Sequence, residues 1–181
     1  MDEQSDEALM ARVGRGDEPA FRELARRYTP AALALARRIV GSAAEAEDIA
    51  HDAFLRVWVN APRWRPIGSF RTWFTRVVVH LCLDRKRRAP VLALEAAAEP
   101  TDPAPDALAR LQAGEIDRLV ADAIAALPER QRAAIALSYG EGLSNAQTAE
   151  ILDTSVAAVE TLLVRAKQSL RRRLGPVLEL D

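Results

Sequence analysis

Residues 143–174, LSNAQTAEILDTSVAAVETLLVRAKQSLRRRL, admit few folds. Ser144 stands three positions before Gln147, the S-x-x-Q spacing in which side chains and backbone amides satisfy one another at a helix start. Ala146, Ala149, Ile151 and Leu152 supply a small apolar face. Asp153-Thr154 interrupts the pattern, and aspartate tolerates the left-handed backbone that a tight turn demands. Ser155 can cap a second helix, whose apolar positions Val159, Leu162, Leu163, Ala166 and Leu170 recur at helical spacing. Two short helices across a tight turn form a helix-turn-helix, whose second helix can lie in a DNA major groove.

The charges on the second helix agree. From Thr154 to Leu174 the cations are Arg165, Lys167, Arg171, Arg172 and Arg173, and the only anion is Glu160, a local balance of +4. The small polar N-terminal turns can approach base edges, and the cationic C-terminal turns can hold phosphates. A plain amphipathic bundle helix, with arginines placed to suit the helix dipole, fits these residues too.

With 181 residues there is material for one ordinary domain or two small ones. No stretch alternates apolar and polar residues in the way of a strand, which predicts an all-α protein. No leader and no bilayer-length apolar run are apparent, so a cytoplasmic location without membrane insertion is expected. A single cysteine, Cys82, cannot form an internal disulfide. With only His51 and His80 beside it, no zinc set is expected, and Cys82 reads as a small buried hydrophobe. No cofactor is expected. The net charge of −1 hides an uneven distribution: residues 1–88 carry +4, residues 89–114 carry −3 and residues 115–181 carry −2. Two local basic clusters, one in each half, are separated by an acidic segment.

In chain order, Ser5 caps a predicted helix over residues 6–14. Asp17 opens another, with Pro19 in its first turn, Phe21, Leu24, Ala25 and Tyr28 inward, Pro30 as a kink or restart, and Gly41 as C-cap. The S-x-x-E spacing of Ser42 and Glu45 predicts a second capping box, opening a helix to Asn60. Its inward face is Ile49, Ala53, Phe54, Val57 and Trp58. Asp48, His51, Asp52, Leu55 and Arg56 fall on the other side, close to Val59. Apolar residues framed by charge suit a protein-binding surface, although a solvated face with two stray apolar residues fits equally.

Residues 60–69, NAPRWRPIGS, read as a loop carrying Arg63, Trp64 and Arg65. This triplet suits stacking on an unpaired base with phosphate contacts; a Trp packed on the core beside solvated arginines is the alternative. Ser69 caps a helix over residues 70–88. Its apolar stripe is Phe70, Trp73, Phe74, Val77, Val78 and Leu81. Arg71, Thr72, Arg76 and His80 share another face, ahead of a basic end that begins at Arg85 and Lys86. Aromatics interleaved with cations favour a single-strand surface. Residues 89–107, with four prolines and acidic residues, read as a flexible linker. A further helix is predicted from Leu108 to Leu127, with Leu119 and Val120 in its stripe. Another is predicted over residues 129–139, ended by Gly140 or Gly142.

Three motifs in this order resemble the extracytoplasmic-function group of bacterial sigma factors: AEDIAHDAFLRVW (46–58), GSFRTWFTRVVVHLCLDRKRR (68–88) and the stretch 127–174. The resemblance covers nearly the whole chain. It implies a module over residues 1–88 that binds core polymerase and recognises and melts the −10 element, a linker over 89–107, and a −35 module over 108–181. It implies that Asp48, His51, Asp52, Leu55 and Arg56 grip the clamp helices of the polymerase largest subunit, whose flap is a second implied contact. Asn60, Arg63, Trp64, Arg71, Trp73, Arg76, His80, Arg85 and Lys86 would hold −10 DNA. Ser155, Ala158, Glu160, Thr161, Arg165, Lys167 and Arg171 would face the −35 duplex. Promoter DNA and an anti-sigma factor are the other implied partners, and no catalytic residue is implied.

Three departures stand out. The family usually has Asn at position 80 and often Gly at position 153, where this chain has His80 and Asp153. Glu160 replaces a common cation, and its carboxylate can accept from a cytosine amino group. Two other classes compete on the residues alone. One is a helix-turn-helix regulator with a helical sensor domain; the other is an interaction protein mimicking these surfaces. An enzyme is disfavoured, because no nucleophile–base pair, metal set or phosphate-binding glycine loop is visible.

Overall fold

The computed structural model describes residues 4–87 and 117–178. Helices and turns account for the regular structure, and no strand occurs among the described residues. The protein is all-α, in two helical modules. The linker expected over residues 89–107 and the helix expected from Leu108 to residue 116 lie outside the described residues.

Local chemistry sets each start and stop. Helix α1 (Asp6–Val13) begins where the Ser5 hydroxyl accepts from the Ala8 amide at 3.2 Å. Helix α2 (Glu18–Val40) begins at Asp17, whose carboxylate accepts from the Ala20 amide. It ends at Gly41 with φ 83°, the left-handed cap a glycine adopts without strain. Helix α3 (Ala43–Asn60) begins at Ser42, which accepts from the Glu45 amide at 3.3 Å. Helix α4 (Phe70–Arg87) is capped from two sides: Ser69 Oγ accepts from the Thr72 amide, and Glu7 of α1 accepts from the Phe70 amide at 3.1 Å. The N-terminal core sits where these helices meet, around Met10, Leu24, Ile39, Ile49, Val57, Phe70 and Val78, all fully buried. Eight aromatic rings meet there edge to face or stacked.

The C-terminal module holds α5 (117–125), α6 (Glu129–Ile135), α7 (Asn145–Ile151) and α8 (Val156–Leu178) around Leu137, Ile151, Leu152 and Val159. Its buried apolar residues continue those of the first module as one cluster. Helix α2 packs on α6, and α4 packs on α7. Gly140 lies at this join, where a Cβ would stand 2.8 Å from the Arg38 guanidinium of α2 and push that flexible side chain aside. Asp153 has φ 48°, the left-handed turn expected of it, and the Ser144–Gln147 capping box is complete.

Six local expectations need correction. Pro30 does not restart α2, which runs on to Gly41 as expected in one continuous helix from Glu18 to Val40; Pro30 faces solvent, and buried residues on both sides carry the helix through. The Ser42 box is half formed: Ser42 caps Glu45, but Glu45 Oε2 is buried without a partner among the described residues. Trp58 is 39% exposed rather than inward, with one face on Phe21. Leu119 is exposed, and in α7 Thr148 is buried where Ala146 was expected. The helix expected over 129–139 widens after Ile135 into a π turn, Ala136–Gly140, in which Glu141 donates to the Ala136 carbonyl at 3.0 Å.

Cys82 is buried in α4, as expected, and burial pushes its thiol up to about 12. A raised pKa keeps the unreactive neutral form through the usual alkylation range. Iodoacetamide at pH 8 is therefore expected to leave the native chain unmodified and to modify it fully in denaturant. Rapid native labelling would contradict this burial.

Candidate protein and nucleic-acid interfaces

The first surface is the outer side of α3. Asp48, His51, Asp52, Leu55 and Arg56 are all exposed there. Leu55 is 50% and Val59 70% exposed, and the exposed side of Trp58 adjoins them. The period of α3 forces this: Ala46, Ile49, Ala50, Ala53 and Val57 occupy the buried side, so residues a half-turn away face out. Asp48 is not wholly free, since it ion-pairs with Arg85 of α4.

The second surface is the loop between α3 and α4. A 3-10 turn, Ala61–Arg63, opens it, and Gly68 at φ 90° closes it. Between them lies an open cavity of about 340 Å³ lined by Asn60, Arg63, Trp64, Arg65, Ile67 and Trp73. That volume is near the lower end for small-molecule pockets. Trp64 and Trp73 meet edge to face, with 68° between planes and 6.5 Å between centroids, and both rest on Phe70. The Asn60 side chain turns back to donate to the Arg56 carbonyl at 2.7 Å. Ile67, 91% exposed at the rim, escaped the sequence reading; its only signal is an apolar residue standing alone between Pro66 and Gly68.

The third surface is the outer face of α4. Arg76 and His80 share it. Arg71, expected on the same face, instead leaves the helix about half a turn round from His80, beside Phe74 and Val78. Each of the three meets the other module. Arg76 pairs with Asp153, His80 Nε2 lies 3.2 Å from Asp153 Oδ2, and Arg71 lies 3.8 Å from Glu141 Oε2. Arg85 points away to Asp48. Lys86 lies in the last turn of α4, with its side chain outside the described residues.

The fourth surface is α8. At about 100° per residue, Ser155, Ala158, Thr161 and Arg165 fall on one flank and Glu160, Lys167 and Arg171 on the other. Val159, Leu163 and Ala166 are buried between the flanks on the inner side. Ser155 caps the helix by accepting from Ala158, and Thr161 Oγ1 donates to the Ala157 carbonyl. Val164 lies exposed on the outer side, and Lys167 Nζ stands 5.2 Å above the Tyr139 ring. Neither Val164 nor Tyr139 was expected to contribute. The register of Val164 was readable; the exposure of Tyr139 comes from the π turn.

A helix-turn-helix with an open cationic outer face, joined to a module bearing an aromatic cavity and an exposed apolar patch, defines a DNA-binding protein with a second, protein-directed surface. The comparisons sharpen this. Residues 24–90 match the Sigma-70 region 2 model and residues 117–170 match the Sigma-70 region 4 model. The chain is 31% identical to the ECF RNA polymerase sigma factor SigW of Bacillus subtilis, over 90% of this chain and 92% of that protein. It superposes with TM-score 0.68 on CnrH in complex with the cytosolic domain of CnrY, at 26% identity, covering 96% of this chain and 99% of that one. The fold also matches RpoE from Bartonella quintana, there in complex with the anti-sigma factor NepR, with TM-score 0.66 at 19% identity, over 86% and 96% of the two chains. The chain belongs to the ECF sigma factors of RNA polymerase and is a transcription initiation factor. No helix among the described residues is long and apolar enough to cross a membrane.

Proposed function

We propose that the four surfaces divide the work of promoter recognition. The outer side of α3 grips the polymerase, with Leu55, Trp58 and Val59 as apolar anchors and Asp48, His51, Asp52 and Arg56 as the polar rim. The cavity beside Trp64 and Trp73 takes a base turned out of the −10 strand, stacked on an aromatic face with Arg63 and Arg65 on the flanking phosphates. Arg71, Arg76, His80, Arg85 and Lys86 carry the strand onward. Helix α8 enters the −35 major groove, and its two flanks place Arg165 and Lys167 toward opposite phosphate walls. Val164, between them, suits a thymine methyl. Residues 1–88 and 108–181 act as the two DNA-reading modules with 89–107 as their tether. The chain supplies no catalytic group; polymerisation is the partner's chemistry. An anti-sigma factor restrains it, and it works in the cytoplasm.

The observation that carries this reading is the aromatic cavity with arginines at its mouth, which a duplex-only regulator does not need. Purified core polymerase with this chain and a promoter library is expected to give promoter-specific transcripts. Binding to polymerase without any transcript would overturn the reading in favour of a decoy. A sharper test replaces the apolar anchors. Leu55→Asp with Val59→Asp is expected to weaken polymerase binding at least about thirtyfold, the scale of a lost interface hot spot. Both side chains are exposed, so folding and duplex binding are expected to remain, as measured by circular dichroism and anisotropy.

A further inference from the structure

Four of the basic groups assigned above to the −10 strand, Arg71, Arg76, His80 and Arg85, already face carboxylates within the chain. Arg76 ion-pairs with Asp153, the turn residue of the helix-turn-helix. His80 Nε2 lies 3.2 Å from the same carboxylate and 3.0 Å from the Ile151 carbonyl. Glu141, just after the π turn, accepts from Arg38 of α2 at 3.1 Å and lies 3.8 Å from Arg71. Two carboxylates of the C-terminal module thus face four basic groups of the N-terminal module. The left-handed backbone of Asp153 makes it the corner of its turn, and that corner is what meets the outer face of α4.

We infer that the free chain closes on itself, with Asp153 and Glu141 standing in for the phosphates of the −10 strand on Arg76, His80 and Arg71. This rests on the reading of α4 as a strand-binding face. A carboxylate lying against these cations neutralises their charge and fills the space a phosphodiester would need, so strand and helix-turn-helix compete for the same groups. The Arg76, His80 and Asp153 side chains remain 35–49% exposed, where single ion pairs are weak and salt-screened. Several such pairs, added to the packing of α4 on α7, favour closure without locking it. A partner that binds only the open form shifts the balance by its preference for that form.

The test uses the full chain with a donor–acceptor dye pair on Glu47→Cys of α3 and Gln168→Cys of α8, both exposed positions; buried Cys82 stays unlabelled. Asp153→Gly keeps the turn, because glycine adopts positive φ without strain. Combined with Glu141→Gln, it is expected to lower energy transfer and to tighten binding of a short single-stranded deoxyoligonucleotide of random sequence about three- to tenfold, the scale of a few exposed ion pairs. Arg76→Gln is expected to lower transfer as well but to weaken strand binding. Rising salt should lower transfer in the unsubstituted chain and much less in the double variant. Unchanged transfer and unchanged strand affinity in the double variant would overturn the closure. Lower transfer without tighter strand binding would uphold the closure and overturn α4 as the strand face.

Discussion

Reversing the charge at Arg165 and Lys167 together, as Arg165→Glu with Lys167→Glu, is expected to weaken −35 duplex binding about a hundred- to a thousandfold near physiological salt. The estimate follows from counterion release. Each phosphate contact contributes a slope of about 0.9 in log affinity against log salt, worth roughly fivefold per cation at that ionic strength. A reversal removes one contact and adds a repulsion of similar size. Both side chains are exposed on α8, and no ion pair among the described residues involves them. Only the Lys167 contact with the Tyr139 ring is lost on folding grounds, a surface interaction worth about 0.5–1 kcal/mol. Helicity and core-polymerase affinity are therefore expected to hold while anisotropy with duplex DNA collapses and its salt slope falls by at least about 2. Parallel loss of duplex and polymerase binding would show that the two functions share this helix.

Why the sequence reveals some of this and not the rest is a matter of range. Caps are local: Ser5, Asp17, Ser144 and Ser155 each act within three residues, and all four cap as expected. The left-handed turn at Asp153 and the cap at Gly41 are equally local. The outward register of Leu55 and the inward register of Val159 follow from periodicity alone. What was missed depends on distant neighbours. Trp58 is 39% exposed although Phe21, 37 residues earlier, meets it edge to face. The π turn after Ile135 sits where Gly140 passes the Arg38 guanidinium of another helix, a contact across about a hundred residues of chain. The meeting of Arg76 and His80 with Asp153 spans more than seventy residues, and neither periodicity nor composition encodes it. Positions 80 and 153 had stood out separately as departures from the family pattern; only the fold shows that they touch.

Phe70→Ala is expected to destabilise the protein by about 3–5 kcal/mol, the usual range for emptying a fully buried aromatic site. Phe70 is completely buried, with Tyr28 at 5.0 Å, Phe74 stacked at 5.7 Å, Trp73 at 5.8 Å and Trp64 at 6.4 Å between ring centroids. Against a total stability of about 5–15 kcal/mol, that is a large share. For a chain of this size it corresponds to a Tm lowered by roughly 6–20 °C. A drop worth under about 1 kcal/mol would mean the surrounding helices collapse into the space and that Phe70 is not the hub its contacts suggest. Phe70→Leu separates packing from function. It keeps most of the volume, so the fold is expected to survive with a modest loss, yet it removes the flat surface on which Trp64 and Trp73 rest. Those two rings line the cavity assigned to the turned-out base. If the cavity holds a base, Phe70→Leu should weaken single-strand binding while leaving duplex binding by α8 intact. Equal loss of both would mean the ring stack supports the whole molecule and has no particular tie to the strand site.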